Sequence, residues 1–596
     1  MTPVDALGPA VSALPPLERV ADEFLASGRA PGLAYAVVRD GAVVHSGGRG
    51  EGRLGGPAPT AASVFRIASM TKSFVAATLL ALRDEGRVVL DEPVAAYVPE
   101  LAALPLPTRD SRPPTVRDLL TMSAGWATDD PWADRSESMS RDELTAVLTD
   151  GLAFDAAPST VFDYSNLSFA LIGRIVSNVT GAPFQDAVEQ RVLRPLGLMS
   201  TAFRADEIAS ELLVDGHVRR GGVWEVEPVS PTGEFASIGG LFSSCDDLAR
   251  WVGVLCGAFP PRDDDDPCVP ASRATLREMQ QAYRLFGAER GIPRDGVRPG
   301  EVESYGFGLF VSLHPRFGTI VGHPGGYPGF GSRMVWHPES GIGVIGLANG
   351  RYGGPYRDTQ RMLLALLDAA DAPARAVVVP PTARERYDAV DRLVDAWDDD
   401  LADAIVSANV DLDVPRSLRR SELADAVAAV GAALGPREDV DVRTPSSVVW
   451  WRRGSRGRLR VEVLLTPQAG RLVQLLDVRA VLDPAPAARA AAESVVAALW
   501  AEQPWPHAVG RDVGLDVAAL EADVARARAA GVPAVLDAWP VAAVSAYDVT
   551  FELRGADMRA QLHLVVDEAS GAVTACSLAV VGDLWPTAVR LAGPAL

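Results

Sequence analysis

Strand-like patterning occurs at two places far apart in this chain, with helical patterning between them. Leu33 to Val38 and Ala42 to His45 read as strands joined by an Asp40-Gly41 turn, a hairpin signal. The next strand-like runs are Gly318 to Val321, Arg333 to His337 and Gly343 to Ala348. The hairpin follows an amphipathic helix over Leu17 to Ser27, and the intervening stretch is mainly helical. From Ser69 to Glu85, Phe74, Val75, Thr78, Leu79 and Leu82 recur at three and four, and Gly86 suits a C-terminal cap. Asp118 to Thr121 lies in a short helix, and Asn166 to Val179 forms another that Gly181 closes. Strands, then many helices, then strands again point to an α+β fold. The expectation is an antiparallel sheet flanked by helices, with an all-helical subdomain inserted, and not a parallel doubly wound sheet.

Past Ala372 to Pro381, where Ala, Val and Pro dominate and a linker is expected, the chain repeats itself. Leu412-Asp413-Val414 is echoed by Leu515-Asp516-Val517, each before an Ala-rich helical stretch. Val448 to Arg453, Gly454, Leu459 to Leu465 and a Gly470 turn are echoed by Val549 to Arg554, Gly555, Ala560 to Val566 and a Gly571 turn. A period of about 100 residues is too long for a solenoid and indicates a duplicated domain. The expected domains are therefore 1–375, followed by two small tandem α+β modules at 381–482 and 483–596. Trp450 and Trp451 are expected in a module core. No chemistry is visible in these modules, which leaves shielding of the active site, partner binding or homodimerisation as their roles.

Composition excludes several function classes. The net charge of −21 disfavours nucleic acid and anionic membrane, which need a basic face. No run of 18 apolar residues is present, and Met1 to Pro16 lacks a basic segment followed by a long apolar run. The expectation is a cytoplasmic protein. Cys245, Cys256, Cys268 and Cys576 show no metal-ligand spacing and read as reduced and structural. Asp263 to Asp266 lacks the spaced ligands and glycine turn of a calcium loop. His-Glu-x-x-His and Gly-Lys phosphate loops are absent, so neither a metal nor a nucleotide cofactor is expected.

Lys72 is the only lysine among 56 Lys and Arg residues. Arginine cannot be deprotonated in a protein, whereas a crowded lysine can. Lys72 follows Ser69 by three residues, so on a helix the amine and the hydroxyl share a face. A serine hydroxyl needs an adjacent base to become a nucleophile, and the helix N-terminus favours a developing oxyanion. Two bases are open: Lys72 with a lowered pKa, or Tyr164, in Tyr164-Ser165-Asn166, held as phenolate by the amine. A third element, Gly322-His323-Pro324-Gly325-Gly326, ends a strand-like run, where glycines allow a substrate backbone to approach closely. His323 would face the reacting centre as a hydrogen-bond donor or local cation.

Ser69-x-x-Lys72, Tyr164-x-Asn166 and His323-x-Gly325, in that order, resemble the penicillin-recognising serine hydrolases. The nearest branch comprises class C β-lactamases, D-Ala-D-Ala carboxypeptidases, D-aminopeptidases and related esterases. Phe65-Arg66-Ile67-Ala68, Leu90 to Val94, Leu119 to Gly125, Gly239 to Ser244 and Gly306 to Leu309 fit as well, and the resemblance spans about residues 15 to 370. It implies Ser69 as acylated nucleophile, with Lys72 and Tyr164 sharing the proton work and Tyr164 as favoured base. It further implies Asn166, His323 and Gly325 at the substrate, and the backbone N–H groups of Ser69 and Gly326 as oxyanion hole. Pro324 departs from the pattern, since it stands where β-lactamases and many carboxypeptidases carry threonine. It offers neither hydroxyl nor N–H, which argues against efficient penicillin hydrolysis and strict recognition of a free C-terminal D-Ala.

The expected activity is cleavage of an ester or amide in a small molecule or short peptide, including one with D-configured residues. Two alternatives stay open: an acyltransferase or peptide cyclase using the same acyl-enzyme, and an inactive binding or sensor protein on the same fold.

Overall fold

The computed structural model describes residues 12–262, 264–288, 302–314, 317–370, 379–501, 517–529, 532, 534–554 and 559–581. The chain divides into two compact units, Met1–Ala372 and Pro373–Leu596. Most of the expected linker, together with Gly555 and the Leu515-Asp516 echo, lies outside the described residues.

The first unit is built on one eight-stranded sheet. Its strands are β1 (Gly32–Arg39), β2 (Ala42–Gly50), β3 (Arg284–Ala288), β4 (Val302–Tyr305), β5 (Phe310–His314), β6 (Gly318–Tyr327), β7 (Phe330–His337) and β8 (Ile342–Ala348). They run in the order β2-β1-β8-β7-β6-β5-β4-β3, and every neighbouring pair is antiparallel. Asp40 and Gly41 both take positive φ, as a two-residue hairpin turn requires. The first strand then pairs with the last, from Leu33 opposite Ala348 to Arg39 opposite Ile342. β3, β4 and β5 are only five, four and five residues long and carry no strong alternation, so the sequence pattern did not reveal them.

β1 shows why the sheet is buried on both faces. Ala34, Ala36 and Val38 enter one core with residues of α2 (Thr71–Asp84) and α3 (Asn166–Thr180). Leu33, Tyr35 and Val37 enter another with α1 (Leu14–Ala26) and α5 (Tyr356–Ala369). α4 (Cys245–Cys256) joins the first core through Leu248, Trp251 and Leu255. The period-two alternation of a strand thus separates two helical layers. α2 lies deepest, with every residue from Thr71 to Leu82 buried. Its polar groups are satisfied locally: Ser73 donates to the Met70 carbonyl and accepts from the Trp251 indole, and Thr78 donates to the Phe74 carbonyl.

The second unit contains two four-stranded antiparallel sheets. Helices Pro381–Asp395, Asp399–Ile405, Ala408–Asp413 and Arg416–Val430 precede β9 (Arg437–Thr444), β10 (Ser447–Arg453), β11 (Gly457–Leu465) and β12 (Val473–Leu482). Helices Pro486–Trp500 and Val517–Ala529 precede β13 (Ala542–Ser545), β14 (Asp548–Arg554), β15 (Arg559–Val566) and β16 (Val573–Val581). The sequence echo is carried by strand register: Val448 faces Val463 in one sheet, and Val549 faces Leu564 in the other. Trp450 is core, edge-on to Tyr387 and donating to Asp391, whereas Trp451 is half-buried beneath the Arg458 guanidinium.

Candidate active site

Ser69 sits in a tight 3-10 turn, Ala68–Met70, that runs directly into α2. Ala68 is held at φ +51, a left-handed conformation that costs an L-residue about 1 kcal/mol. Several contacts hold it there. Ser332 of β7 donates to the Ile67 carbonyl at 2.7 Å, and Ile67 N–H donates to the Leu241 carbonyl. Arg66 is buried, pairs with buried Glu137, and stacks its guanidinium 4.2 Å from the Tyr327 ring centroid. β6 presses close behind: a side chain at Gly325 would lie 2.4 Å from the Ile67 carbonyl oxygen. Gly308, at φ +71, lets its loop approach the Lys72 backbone, where a Cβ would meet the Lys72 carbonyl oxygen at 2.9 Å. These segments pack around Ser69 and leave it partly accessible.

Lys72 is wholly buried. Its amine donates to the Ser69 hydroxyl at 3.0 Å, to the Asn166 side-chain oxygen at 2.7 Å and to the Ile238 carbonyl at 2.8 Å. It also lies 5.1 Å from the Tyr164 ring centroid. Among the described residues no carboxylate touches it directly. Burial pulls its pKa down to about 8, against the opposing pull of Asp130, Asp134 and Asp129. The amine therefore exchanges its proton near neutral pH, as an arginine could not.

Tyr164 is half-buried among Phe310, Tyr305 and His323. Burial raises its pKa well above the usual phenol range; a hydrogen bond with Ser69 opposes this, and the three aspartates add to it. The phenol rests neutral. A phenolate held by Lys72, one of the two bases the sequence leaves open, runs against this burial, to which the three aspartates add.

His323 lies inside β6, fully buried. Its Nδ1 is 2.6 Å from the Pro324 carbonyl oxygen, which can only accept, so that nitrogen carries the proton. Its Nε2 accepts from the Tyr305 hydroxyl at 2.9 Å. Burial, with Lys72 adding to it, pushes its pKa down to about 3. The expectation of a donor or local cation at the substrate is corrected on both counts: the one N–H is occupied, and the ring is neutral. Gly325 faces the Ile67–Ala68 turn, and its carbonyl accepts from Tyr356. Gly326 follows it opposite Gly331, against the Tyr352 ring. β5 pairs with β6 only from Gly318 to Gly322.

The sequence reading missed three carboxylates. Asp129 caps α3 from outside, accepting from the backbone N–H groups of Asn166 and Leu167 at 2.7 and 2.9 Å. Asp129 and Asp130 both accept from the Asn166 amide nitrogen, at 3.1 and 2.6 Å. Asp134 accepts from Tyr352, and burial pushes its pKa up to about 6. Asp129-Asp130-Pro131 reads in sequence as an ordinary helix start, and only the packing of helix Asp130–Ala133 beside α3 shows otherwise. Among the described residues no group of three or more His, Cys, Asp or Glu side chains converges as a metal site, and no helix is long and apolar enough to cross a membrane.

A buried lysine thus lies beside a partly exposed serine just before a helix, with the Asn166 amide on the amine and the Tyr164 phenol on the hydroxyl. The chain is 27% identical over 338 residues to the D-alanyl-D-alanine-carboxypeptidase/endopeptidase AmpH of Escherichia coli (strain K12), covering 55% of this chain and 82% of that one. It is 24% identical over 341 residues to protein flp of Staphylococcus aureus (strain COL), covering 56% and 62%. A solved octameric penicillin-binding protein homologue from Pyrococcus abyssi shares the fold over 93% of this chain and 96% of that one, at TM-score 0.51 and 18% identity. The family model described as Beta-lactamase matches residues 17–369. The chain belongs to that family, within the penicillin-recognising serine hydrolases.

Proposed function

We propose that this protein cleaves an ester or amide bond through an acyl-enzyme on Ser69, with Lys72 as the proton acceptor. The observation that carries this is the 3.0 Å contact between the Ser69 hydroxyl and a buried amine whose pKa is near 8. Neutral Lys72 takes the serine proton as the oxygen attacks the substrate carbonyl. The backbone N–H groups of Ser69 and Gly326 receive the oxyanion. The neutral phenol of Tyr164 gives its proton to the leaving group and regains one from the Lys72 ammonium. Water then attacks the Ser69 ester along the same proton route. Asn166 fixes the amine in place through its side-chain oxygen. The backbone edge of β6 past Gly322 suits an extended substrate such as a short peptide, including one with D-configured residues. The carboxypeptidase named among the relatives fits a peptide substrate, whereas Pro324 argues against β-lactam turnover. Assembly through the second unit is proposed on the octameric homologue, which spans that region as well.

The test is covalent labelling. A fluorophosphonate adds to Ser69 in the wild type, located by peptide mass spectrometry, and Ser69→Ala abolishes labelling with the circular dichroism spectrum unchanged. Equal labelling of the variant would show that another residue is the nucleophile.

A further inference from the structure

The side-chain amide of Asn166 has only one orientation compatible with its neighbours. The two aspartates can only accept, so the amide nitrogen must face them, and the oxygen then faces the Lys72 amine, which donates to it as the ammonium. Both amide protons are then occupied, one on Asp129 at 3.1 Å and one on Asp130 at 2.6 Å. Asn166 is buried and has no donor left for a substrate carbonyl. The neighbouring groups that hold the amide are both acceptors. Asp129 is saturated on both oxygens by Asn166 and the start of α3. Asp130 is exposed, and its Oδ1 alone is engaged by Asn166. It lies one amide group away from the Lys72 amine, and its charge is felt at Lys72, Tyr164, Tyr352 and Tyr356.

We propose that Asp130 is a specificity-determining residue that selects substrates whose acyl part carries a protonated amine, such as the free α-ammonium of an N-terminal amino acid. This rests on the Ser69 acyl-enzyme reading and adds the substrate class to it. An acylamino group at this position would set its carbonyl against a carboxylate, two acceptors with no proton between them, at a loss comparable to a missing buried hydrogen bond. An ammonium donates to the free oxygen of Asp130 and balances the negative charge that accumulates when the oxyanion forms. Asp130→Asn keeps an oxygen for the Asn166 amide and removes only the charge.

The experiment compares D-alanine p-nitrophenyl ester with its N-acetyl form, and the same pair from glycine, on the full chain between pH 6 and 9. Rates are corrected for spontaneous hydrolysis. The wild type is expected to favour the free amine at least tenfold in kcat/KM at pH 6.5, with the preference falling as the substrate amine loses its proton. Asp130→Asn is expected to reduce the ratio to within about twofold of unity, mainly through KM of the free-amine ester, and Asp130→Glu to restore part of it. A wild-type ratio at or below unity, turnover of neither ester, or a ratio that survives in Asp130→Asn overturns the inference. Fluorophosphonate labelling of wild-type Ser69 is run alongside. Labelling without amine preference defeats this inference alone, whereas absence of labelling defeats the acyl-enzyme reading beneath it.

Discussion

The two units bury ionisable groups for different ends. In the second, the module cores are apolar: Val448, Trp450, Val461 and Val463 in one, Val549, Phe551, Leu562 and Leu564 in the other. Its most buried arginines, Arg452 and Arg458, pair with Asp395 and Asp439 at the rim. In the first unit a cation sits at the centre of the fold with no carboxylate touching it. Six residues earlier Arg66, equally buried, has its carboxylate in Glu137. A paired buried cation holds a backbone in place, whereas one held only by neutral oxygens keeps a proton that can leave. The difference teaches that burial alone does not decide how readily a cation gives up its proton; what matters is which partners accompany it.

The largest break in this comparison comes from making Lys72 resemble Arg66. Lys72→Arg keeps the charge and removes the exchangeable proton, so kcat/KM on an activated ester falls about a thousandfold or more. Wild-type turnover in that variant would remove Lys72 from the proton route. Arg66→Met leaves Glu137 buried and unpaired and lowers the stability of the first unit by about 3–5 kcal/mol in urea unfolding. A loss below about 1 kcal/mol would mean that the pair does not brace the turn before Ser69. In the second unit, Leu562→Ala opens an apolar cavity and costs about 2–5 kcal/mol. Fluorophosphonate labelling at Ser69 should stay within twofold of wild type, and a larger change would show that this module core supports the site.

The smallest effect sharpens the comparison. With Lys72 as acceptor, kcat/KM rises with pH as the amine loses its proton, with a midpoint near 8. Asp129 is one of the carboxylates that hold the Lys72 proton on, so Asp129→Asn moves that midpoint downward, by about one unit or less. An upward shift, or none, would show that the limb belongs to another group.

Much of this site was legible in the chain. The lone lysine, its three-residue spacing from a serine and the ordered Tyr164 and His323 elements named the groups, because helical geometry brings a pair three apart together wherever the helix lies. His323 was misread because a histidine in a glycine-rich stretch looks the same whether it faces a cleft or a core. Only Tyr305, from a strand with no clear pattern, shows that it faces the core. Asp129 and Asp130 were passed over because their sequence context is that of a helix start, and their work is done on α3, far along the chain.

The sequence alone determined what depends on local order: helix and hairpin positions, the echoed strand runs past the linker, and the three-residue spacing that brings Ser69 and Lys72 within reach of each other. The tertiary structure decided what depends on desolvation and on contacts between distant segments. Closure of β1 against β8, the proton affinity of Lys72, the orientation of the Asn166 amide and the neutrality of His323 were settled there. A pKa and an amide orientation are properties of a surrounding, and that surrounding exists only once the chain has folded around the residue.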